Sequence, residues 1–336
     1  MFFSRKEEYL VADLGGTNVT IAIIDVNRNI LFKKTCPSSE IKNFTDTLIQ
    51  FIHLPECKKY KFKRSCIAVA GVINAERNYA RLTNRDWTVD KNSILVRTKL
   101  HDVTLLNDFE AIGFGIDTLK PEQYTELTNL GRNSDGTLAI IGAGTGLGMS
   151  ILPYYDNSHL PILSEGGHVD LPLQANDKID IKLYTFLKQK KLYRDAEDVV
   201  SGRGLVNIYR FFLEQNIKHN KKIRLEIGKV KDEEKPALIT KYALEDKDVV
   251  CMRTVQLFIK YYARIARNLA LTSLCSELII SGGIAPKILP ALQDVFVNEF
   301  VQHDVPNMRK LLEQVSIFVI INPNVGLYGA LNAVKT

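Results

Sequence analysis

The feature that most constrains this fold is a strand, a glycine-rich turn and a second strand, which occur twice along the chain. The first copy is YLVADLGGTNVTIAIIDV, and the second is TLAIIGAGTGLGMSILPYY. In both copies β-rich apolar runs flank the glycines, a pattern typical of a hairpin. Repetition of this unit predicts two domains of similar design, each built around one glycine hairpin.

The elements that follow each hairpin predict an α/β protein with mixed sheets. After the first hairpin come a third strand NILFKKT, a helix FTDTLIQFI, a buried strand CIAVAGVI, a loop LTNRDWTVD and a strand VTLLNDF that stops at Asn107. This order combines hairpins with crossovers. After the second hairpin come mainly helices, with a one-faced apolar stripe between Cys251 and Cys275. The strand–Gly-Gly–helix SELIISGGIAPKILPAL precedes a final strand, turn and helix.

The length of 336 residues is enough for about two domains. We place a soft boundary near Leu119. The predicted small α/β domain is residues 1–118, completed by a C-terminal helix at 322–336, and the predicted large α/β domain is 119–321.

Composition argues against several classes of protein. No run of about 18 apolar residues lacks charge, and the N-terminus has no apolar segment of signal-peptide length, so we expect a cytoplasmic protein with no membrane partner. The five cysteines are scattered and never form CxxC, which argues against a disulfide framework and a cysteine-based zinc site. The net charge of +6 is spread out. We interpret the basic stretch KKYKFKR as a solvated turn and expect no nucleic-acid partner.

Neither glycine turn fits the common nucleotide-binding motifs. A dinucleotide fingerprint requires a helix directly after the glycines, but the strand-like segments VTIAIID and MSILPYY follow here. A Walker loop requires GK[ST], which neither turn has. Two interpretations remain for each turn alone: a tight hairpin in which glycine supplies positive φ, or a nest of backbone N–H groups that binds an anion.

Two such turns and a later strand–Gly-Gly–helix together favour one ATP held between two domains. The predicted phosphate-binding residues are Gly15, Gly16, Thr17, Asn18, Gly144, Thr145 and Gly146. Asp13 ends the first strand and is predicted to hold a phosphate-bound Mg²⁺, directly or through water.

Seven motifs in order resemble those of bacterial-type glucokinases, members of the sugar kinase, actin and heat-shock chaperone superfamily. They are DLGGTN, LTNRDW, LLNDFEA, GAGTGLG, SEGGHVDLP, SGRGLVNIY and IISGGIAP, in a match from about Leu10 to about Ala333. The related ROK sugar kinases usually add a cysteine-rich zinc motif after EGGH, where this chain has LPLQANDKID. The resemblance implies the zinc-free glucokinase branch. It also implies a two-domain actin-like (ribonuclease H-like) α/β fold with mixed sheets flanked by helices and an interdomain cleft.

The resemblance implies phosphoryl transfer from ATP to a glucose hydroxyl, which needs an in-line acceptor and a base for the hydroxyl proton. Asp108 is the candidate general base beside the 6-hydroxyl, and Asn107 would bond a neighbouring hydroxyl. The alternative is that Asp108 only caps the helix FEAIGFGI. The further sugar ligands implied are Glu165, His168, Glu197 and Asn84, and the turns that would contact adenosine contain Gly202, Gly282 and Gly283.

Several residues keep alternative interpretations. Glu165 and His168 have the ExxH spacing of a helical metal site, but the two glycines between them predict a loop instead. Ser164 stands where related chains often have Gly, which we expect to loosen the loop slightly. Arg203 stands where related chains often have Pro, and both nucleotide contact and plain exposure stay open. Trp87 is interpreted as packing.

The predicted activity is that of an ATP-dependent glucokinase whose small domain closes on the large one and excludes water. Kinases for mannose, fructose or N-acetylglucosamine are the near alternatives, since the pattern does not decide the C2 substituent. A sugar-sensing regulator without catalysis, or an actin-like or chaperone ATPase, is the alternative from another class. An intact LNDF motif favours catalysis, and a homodimer is expected from the resemblance alone.

Overall fold

The structure is a computed structural model that describes residues 7–335 apart from 84, 134, 216 and 219. The strands in these residues are β1 (Glu8–Leu14), β2 (Asn18–Asp25), β3 (Ile30–Pro37), β4 (Phe62–Val69), β5 (Gly71–Ile73), β6 (Tyr79–Leu82), β7 (Thr88–Asp90), β8 (Asp102–Asn107), β9 (Tyr124–Glu126), β10 (Leu138–Ala143), β11 (Leu147–Leu152), β12 (Tyr154–Tyr155), β13 (Ser158–His159), β14 (Ile162–Ser164), β15 (Glu277–Ser281) and β16 (Ser316–Ile320). The helices are α1 (Phe44–Ile52), α2 (Lys91–Arg97), α3 (Asp108–Gly115), α4 (Lys178–Gln189), α5 (Gly202–Glu214), α6 (Lys221–Lys229), α7 (Lys235–Leu244), α8 (Val249–Ser273), α9 (Leu289–Phe300), α10 (Pro306–Leu312) and α11 (Val325–Lys335). Across the described chain, no helix combines the length and the apolar character needed to cross a membrane.

The prediction of an α/β protein with mixed sheets is confirmed. Both glycine hairpins form where they were predicted, as β1–β2 and β10–β11. The helix α1 covers the segment FTDTLIQFI, and Asn43 caps it by accepting a hydrogen bond from the N–H of Asp46. Apolar periodicity and turn chemistry therefore predicted these local elements well.

Two local predictions in the first half are wrong. The segment LTNRDWTVD is not a loop throughout, because it contains the end of β6 and all of β7. The segment CIAVAGVI is not one strand, because β4 and β5 belong to different sheets. At Gly71 the chain turns to pair with β6, and a Cβ added there would lie 2.1 Å from the carbonyl oxygen of Arg81. A glycine is therefore needed where the chain changes sheet.

The chain divides into two compact units, and unit 1 contains the described residues within Met1–Lys120, Ser158–Leu163 and Asn322–Thr336. Its main sheet has the strand order β3-β2-β1-β4-β8. The pairs β3–β2 and β2–β1 are antiparallel, whereas β1–β4 and β4–β8 are parallel. Leu14 pairs with Val69, and Val69 pairs with Asn107. The end of β1 and the end of β8 therefore lie at one edge of the sheet, the edge where open α/β sheets bind ligands.

Two helices, α3 and α11, cover one face of this sheet at very close range. A Cβ added to Gly329 of α11 would lie 1.6 Å from the carbonyl oxygen of Ala111 in α3. A Cβ added to Gly115 of α3 would lie 2.5 Å from the carbonyl oxygen of Val325. Glycines at both crossings let the two backbones touch, and this contact positions α3, whose first residue is Asp108.

We expect Gly329→Ala to destabilise the protein by about 2 kcal/mol or more. The added methyl would displace backbone rather than a flexible side chain, and this outweighs the gain in helix propensity. Gly228→Ala is the matched control, because apart from its chain neighbours and the backbone of its own helix no atom lies within 4 Å of the new methyl. This variant should be neutral or slightly stabilising. Urea unfolding of the three proteins measures the difference, and equal midpoints for the two variants would contradict the close crossing.

Unit 2 contains the described residues within Pro121–Asn157 and Ser164–Ile321. Its main sheet has the order β14-β11-β10-β15-β16-β9. The pair β11–β10 is antiparallel, and β10–β15 and β15–β16 are parallel. The run β11-β10-β15-β16 therefore repeats the strand directions of β2-β1-β4-β8 in unit 1, so the predicted repeat extends from the hairpin to the sheet.

The long helix α8 fixes the strand that leads into the second glycine turn. The hydroxyl of Tyr262 accepts a hydrogen bond from the N–H of Ala143 at 3.2 Å and donates to the carbonyl of Ile141 at 3.2 Å. Burial raises the pKa of Tyr262, so its hydroxyl keeps its proton. Arg264, also in α8, is buried against Asp180 and Glu299, each at 2.6 Å. Tyr262 therefore anchors the end of β10, and Arg264 joins α8 to α4 and α9.

Candidate active site

The first glycine turn is held by backbone and serine contacts rather than by an unusual glycine conformation. The N–H of Gly15 donates to the carbonyl of Asn18 at 2.9 Å. The backbone N–H of Ser38 donates to the carbonyl of Thr17 at 2.8 Å, and the hydroxyl of Ser38 donates to the carbonyl of Gly15 at 2.8 Å. Thr17 and Asn18 are exposed. Ser38 was not predicted, because nothing in its local sequence indicates a partner in the turn.

The alternative that these glycines supply positive φ is wrong for both turns. In the part of the chain that the structure describes, positive φ among glycines occurs at Gly131 and Gly282. Gly282 has φ +87°, and a Cβ there would lie 2.4 Å from the carbonyl oxygen of Ala143. A Cβ on Gly15 would lie 3.1 Å from the carbonyl oxygen of Asn18, so close backbone approach favours glycine there, whereas the nearest atom to a Cβ on Gly144 is 4.0 Å away. The alternative of an N–H nest that binds an anion stays a prediction for both turns.

An arginine that sequence reasoning missed lies beside the first turn. The Nε–H of Arg85 donates to the carbonyl of Gly16 at 3.2 Å. A guanidinium there adds positive charge next to the predicted phosphate turn. Its neighbour Asn84, predicted as a sugar ligand, lies outside the described residues, and that prediction stays untested.

Asp13 has an environment suited to a cation that is bound with the substrate. Its Oδ2 lies 3.6 Å from where a Cβ of Gly326 would stand, at the start of α11. Burial raises the pKa of Asp13 to about 6. Within the described residues, no hydrogen bond or ion pair reaches this carboxylate. A desolvated carboxylate without a protein partner fits Mg²⁺, which proteins commonly bind through one or two carboxylates and the substrate phosphates.

The pair Asn107–Asp108 is positioned by a capping box. Asn107, not Asp108, caps α3: its side-chain oxygen accepts from the N–H of Phe109 at 2.9 Å, and Glu110 accepts from the N–H of Asn107 at 3.3 Å. The Nδ2 of Asn107 also donates to the carbonyl of Gly71 at 3.1 Å. The interpretation of Asp108 as the cap is therefore wrong. Its side chain is half-buried on the first residue of the helix.

An ion pair between exposed Arg77 and buried Glu110 holds this capping box in place. The Nη1 and Nη2 atoms of Arg77 lie 3.0 and 2.7 Å from the two carboxylate oxygens of Glu110, whose side chain is 5% exposed. This fork geometry is the strong form of a charge-assisted hydrogen bond. The hydrogen bonds to Glu110 are the main reason that the pKa of Arg77 is raised. The sequence does not show that Arg77 faces Glu110, because the two are 33 residues apart.

In unit 2, the segment EGGH lies outside any α-helix, as predicted, and the connection after β14 contains a single 3₁₀ turn, Gly166–His168. A Cβ on Gly167 would lie 1.8 Å from the carbonyl oxygen of Leu147, so this turn packs on the backbone that leaves the second glycine turn. The hydroxyl of Ser164 accepts a hydrogen bond from the N–H of Gly166 at 3.0 Å. This hydrogen bond of Ser164 stabilises the loop, so the expectation that Ser164 loosens it is wrong.

His168 is oriented by Asp195, which the sequence did not single out. Nδ1 of His168 lies 2.9 Å from Oδ2 of Asp195, and both His168 and Glu165 are exposed. The metal alternative for ExxH finds no support, since among the described residues no group of three or more His, Cys, Asp and Glu side chains can hold an ion. The hydrogen bond to Asp195 raises the pKa of His168 although burial opposes it, and the nearby charge of Glu197 also raises it.

We expect Asp195→Asn to lower the pKa of His168. In the native protein the raised pKa means that the pair stabilises the fold below pH ~6.5, and that this contribution is lost as pH rises through the folded pKa. An NMR titration of the imidazole protons measures the midpoint in both proteins. An unchanged midpoint for His168 would contradict the role of Asp195.

Glu197 lies buried between the second glycine turn and the start of α5. Its Oε2 accepts from the N–H of Leu147 at 3.0 Å, and its Oε1 accepts from Nη2 of Arg203 at 2.9 Å. It belongs to a 3₁₀ turn, Ala196–Asp198, rather than to a charged α-helix start. Arg203 is exposed, as one of its two interpretations expected, and its guanidinium also forms ion pairs with Glu197 and Asp198. The nucleotide contact stays a prediction.

Unit 2 brings its predicted nucleotide turns together. The carbonyl of Gly144 accepts from the N–H of Gly202 at 2.8 Å. The N–H nitrogen of Gly283 lies 4.0 Å from where a Cβ of Gly144 would stand. Thr145 is exposed at the tip, and Gly144 N–H donates to the carbonyl of Gly146 at 2.8 Å. The predicted phosphate turn and the predicted adenosine turns are therefore neighbours in this unit.

Two mixed sheets, each built around a glycine hairpin, with the Asn107–Asp108 pair at the edge of one of them, are consistent with the sugar kinase class. Solved structures of that class share the fold. A glucokinase from an Antarctic psychrotroph has a TM-score of 0.76 and 26% identity, covering 98% of this chain and 99% of the other. The glucokinase of Balamuthia mandrillaris in complex with glucose has a TM-score of 0.80 and 20% identity, covering 100% and 96%. A ROK family glucokinase from Streptomyces griseus, in complex with glucose and AMPPNP, has a TM-score of 0.69 and 18% identity, covering 97% and 98%.

The sequence comparisons narrow this class to one family. The sequence profile of glucokinase matches residues 10–336. Glucokinases of Nostoc punctiforme and Synechocystis sp. are 33% and 32% identical, and the alignments cover 96% of this chain and 97% and 96% of those proteins. The chain belongs to the glucokinase family, which confirms the resemblance noted from its motifs.

Proposed function

We propose that the protein transfers the γ-phosphoryl group of ATP to the 6-hydroxyl of D-glucose, with Asp108 as the general base. The observation that carries this proposal is the capping box on α3. Asn107 caps the helix and Arg77 locks Glu110, so the Asp108 side chain is presented from the first turn at the carboxyl edge of the sheet. The family match supports glucose and ATP as the substrates.

Asp108 would accept the proton of the 6-hydroxyl as its oxygen attacks the γ-phosphorus. The new O–P bond forms at the sugar, the bond to the bridging oxygen of ADP breaks, and the proton ends on the carboxylate. Such general-base help is worth about 10² to 10⁴ in rate. Because α3 is fixed by its crossing with α11 and by the capping box, the carboxylate needs little reorganisation to reach the hydroxyl.

Several of the predicted sugar ligands keep polar groups that can bond a hydroxyl. Asn107 keeps one N–H beyond its bond to Gly71, so it can still donate to a sugar hydroxyl. In unit 2, Nδ1 of His168 is engaged by Asp195, which leaves Nε2 for a hydroxyl. Glu165 and Glu197 supply carboxylates, which accept from sugar hydroxyls, and Asn84 remains a proposed ligand.

The phosphate groups of ATP would be bound by backbone N–H groups of the turns at 15–18 and 144–146. The glycines at 202, 282 and 283 would lie against adenosine. Asp13 would hold Mg²⁺, directly or through water, and the ion would screen the phosphate charge. Arg85 would add a second positive charge at the first turn. The absence of a side chain at each glycine lets a phosphate approach the backbone closely.

The test is ADP production with Mg-ATP, alone and with glucose, mannose, fructose or N-acetylglucosamine. Glucose-dependent turnover with the highest kcat/KM for glucose is the expected result. A higher kcat/KM for another hexose would replace glucose as the substrate. Calorimetric glucose binding without turnover would identify a sugar-sensing regulator instead, and ATP hydrolysis independent of sugar would overturn the kinase assignment.

We also propose a homodimer in the cytoplasm, and the resemblance to glucokinases is the support for both. Light scattering after size-exclusion chromatography would return about twice the mass of the chain for a dimer. Cell fractionation would find the protein in the soluble fraction. A monomer mass, or recovery with membranes, would overturn the respective proposal.

A further inference from the structure

Arg203 occupies the second position of α5 and bridges two buried carboxylates. Its Nη2 lies 2.9 Å from Oε1 of Glu197, and its Nε lies 2.8 Å from Oδ1 of Asp198. The two carboxylate side chains are 6% and 2% exposed, against 39% for the arginine. A cation at a helix N-terminus is unfavourable for the helix dipole, so helix stability does not explain this residue.

The two carboxylates depend on Arg203 to different extents. Asp198 also accepts from the backbone N–H of Arg194 at 2.8 Å and from its guanidinium. Burial works to raise the pKa of Asp198, but the bonds from Arg194 and the charge of Arg203 outweigh it and hold that pKa below its usual value. Glu197, within the described chain, has one other partner, the N–H of Leu147. Loss of Arg203 would therefore leave Oε1 of Glu197 unpaired in a buried place.

The same short segment braces both ends of the second glycine turn. At one end the N–H of Gly202 donates to the carbonyl of Gly144 at 2.8 Å. At the other end the carboxylate of Glu197 accepts from the N–H of Leu147 at 3.0 Å. The first contact uses backbone only, whereas the second depends on the orientation of the Glu197 side chain. Removing Arg203 should therefore disturb Glu197 more than the backbone contact.

We propose that Arg203 is a positioning residue that holds the Glu197 carboxylate in the orientation that binds glucose. The inference rests on the proposed function, in which Glu197 is a sugar ligand. A guanidinium suits this role because its planar fork reaches two carboxylates at once, which a lysine ammonium does not do equally well. The position of Arg203 thus sets glucose affinity without contact between Arg203 and the sugar.

The test compares Arg203→Met and Arg203→Lys with the matched control Arg210→Met. Arg210 lies in the same helix, is equally exposed at 39%, and pairs with the exposed Asp232 instead of a buried carboxylate. We expect Arg203→Met to raise the KM for glucose about tenfold or more, because a buried charged acceptor loses its partner. The KM for ATP should change by a smaller factor than the KM for glucose, because the backbone contact between Gly202 and Gly144 remains. Arg203→Lys should fall between, and Arg210→Met should match the wild type.

A double-mutant cycle with Glu197→Gln separates positioning from a general structural effect. If Arg203 acts through Glu197, Arg203→Met should have little further effect on the glucose KM in the Glu197→Gln background. Additive effects, or an unchanged glucose KM in an active and folded Arg203→Met protein, would overturn the role of Arg203 but not the proposed function. Absence of glucose-dependent ADP production in the wild type would instead overturn the proposed function. Thermal melting of each variant shows which proteins are folded.

Discussion

Replacing Asp108 with asparagine is expected to lower kcat by a factor of about 10² to 10⁴ while the fold stays intact. The amide cannot accept the proton of the sugar hydroxyl, but it keeps the size of the carboxylate. The cap of α3 should persist, because Asn107 and Glu110 form it and Asp108 does not. Steady-state ADP production and circular dichroism of the variant measure the two parts of this expectation.

Asp102→Asn is the matched control for this substitution. Asp102 begins the same strand whose end leads to Asp108, but its side chain is 53% exposed and pairs with Lys91 at 3.3 Å. A surface pair of this kind contributes little to stability. The control should keep wild-type kcat. If the Asp108→Asn enzyme kept more than about a tenth of wild-type kcat, the assignment of Asp108 as the general base would be contradicted.

Asp13→Asn is expected to abolish most activity and to stabilise the protein in the absence of ligands. Burial raises the pKa of Asp13 from 3.8 to about 6, so the folded state holds this proton more tightly than the unfolded chain does. The contribution of Asp13 to the free energy of unfolding therefore falls as pH rises between about 4 and 6, and the resulting destabilisation persists above pH 6. Removing the charge should raise the free energy of unfolding at pH 8 by about 1–3 kcal/mol. We expect kcat/KM for Mg-ATP to fall about a hundredfold or more.

Asp25→Asn provides a contrast within the same sheet. The Oδ1 of Asp25 accepts from the backbone N–H groups of Asn27 and Asn29, and its Oδ2 accepts from the side chain of Asn29, each at 2.9 Å. An amide at this position replaces one acceptor with a donor and should destabilise the protein. Urea unfolding at pH 5 and pH 8 compares the two variants. Loss of stability in Asp13→Asn at pH 8 would mean that the carboxylate has a stabilising partner after all.

The hairpins, the main helices and the α/β class could be predicted from the sequence because they follow from local patterns. Alternating apolar residues around GGTN and GTGLG leave few options besides strands joined by a tight turn. The capping residue of α3 was harder to predict, because Asn107 and Asp108 are adjacent and both residue types are good N-caps. The backbone at Asn107, with φ −67° and ψ 152°, settled the cap in favour of the asparagine.

The glycines show a second limit of prediction from the sequence. A sequence shows that a position lacks a side chain, but not whether conformation or close approach is the reason. Gly282 needs its positive φ and also meets the backbone of Ala143. Gly167 and Gly329 are required by neighbours that approach within 2 Å of a Cβ position. Only the packing of elements distant in the chain distinguishes these cases.

Local sequence patterns were enough to predict the α/β class, the two glycine hairpins, the motif set of the glucokinase family and the residue types that a phosphoryl transfer needs. Which charged groups meet depends on the tertiary structure. Arg77 reaches Glu110 from 33 residues away, Glu197 reaches the N–H of Leu147 from 50, and Arg85 reaches Gly16 from 69. Apolar periodicity and turn motifs involve residues that are close together in the sequence. A long side chain can pair with a group far away in the sequence, and leaving such a group buried without a partner would cost free energy.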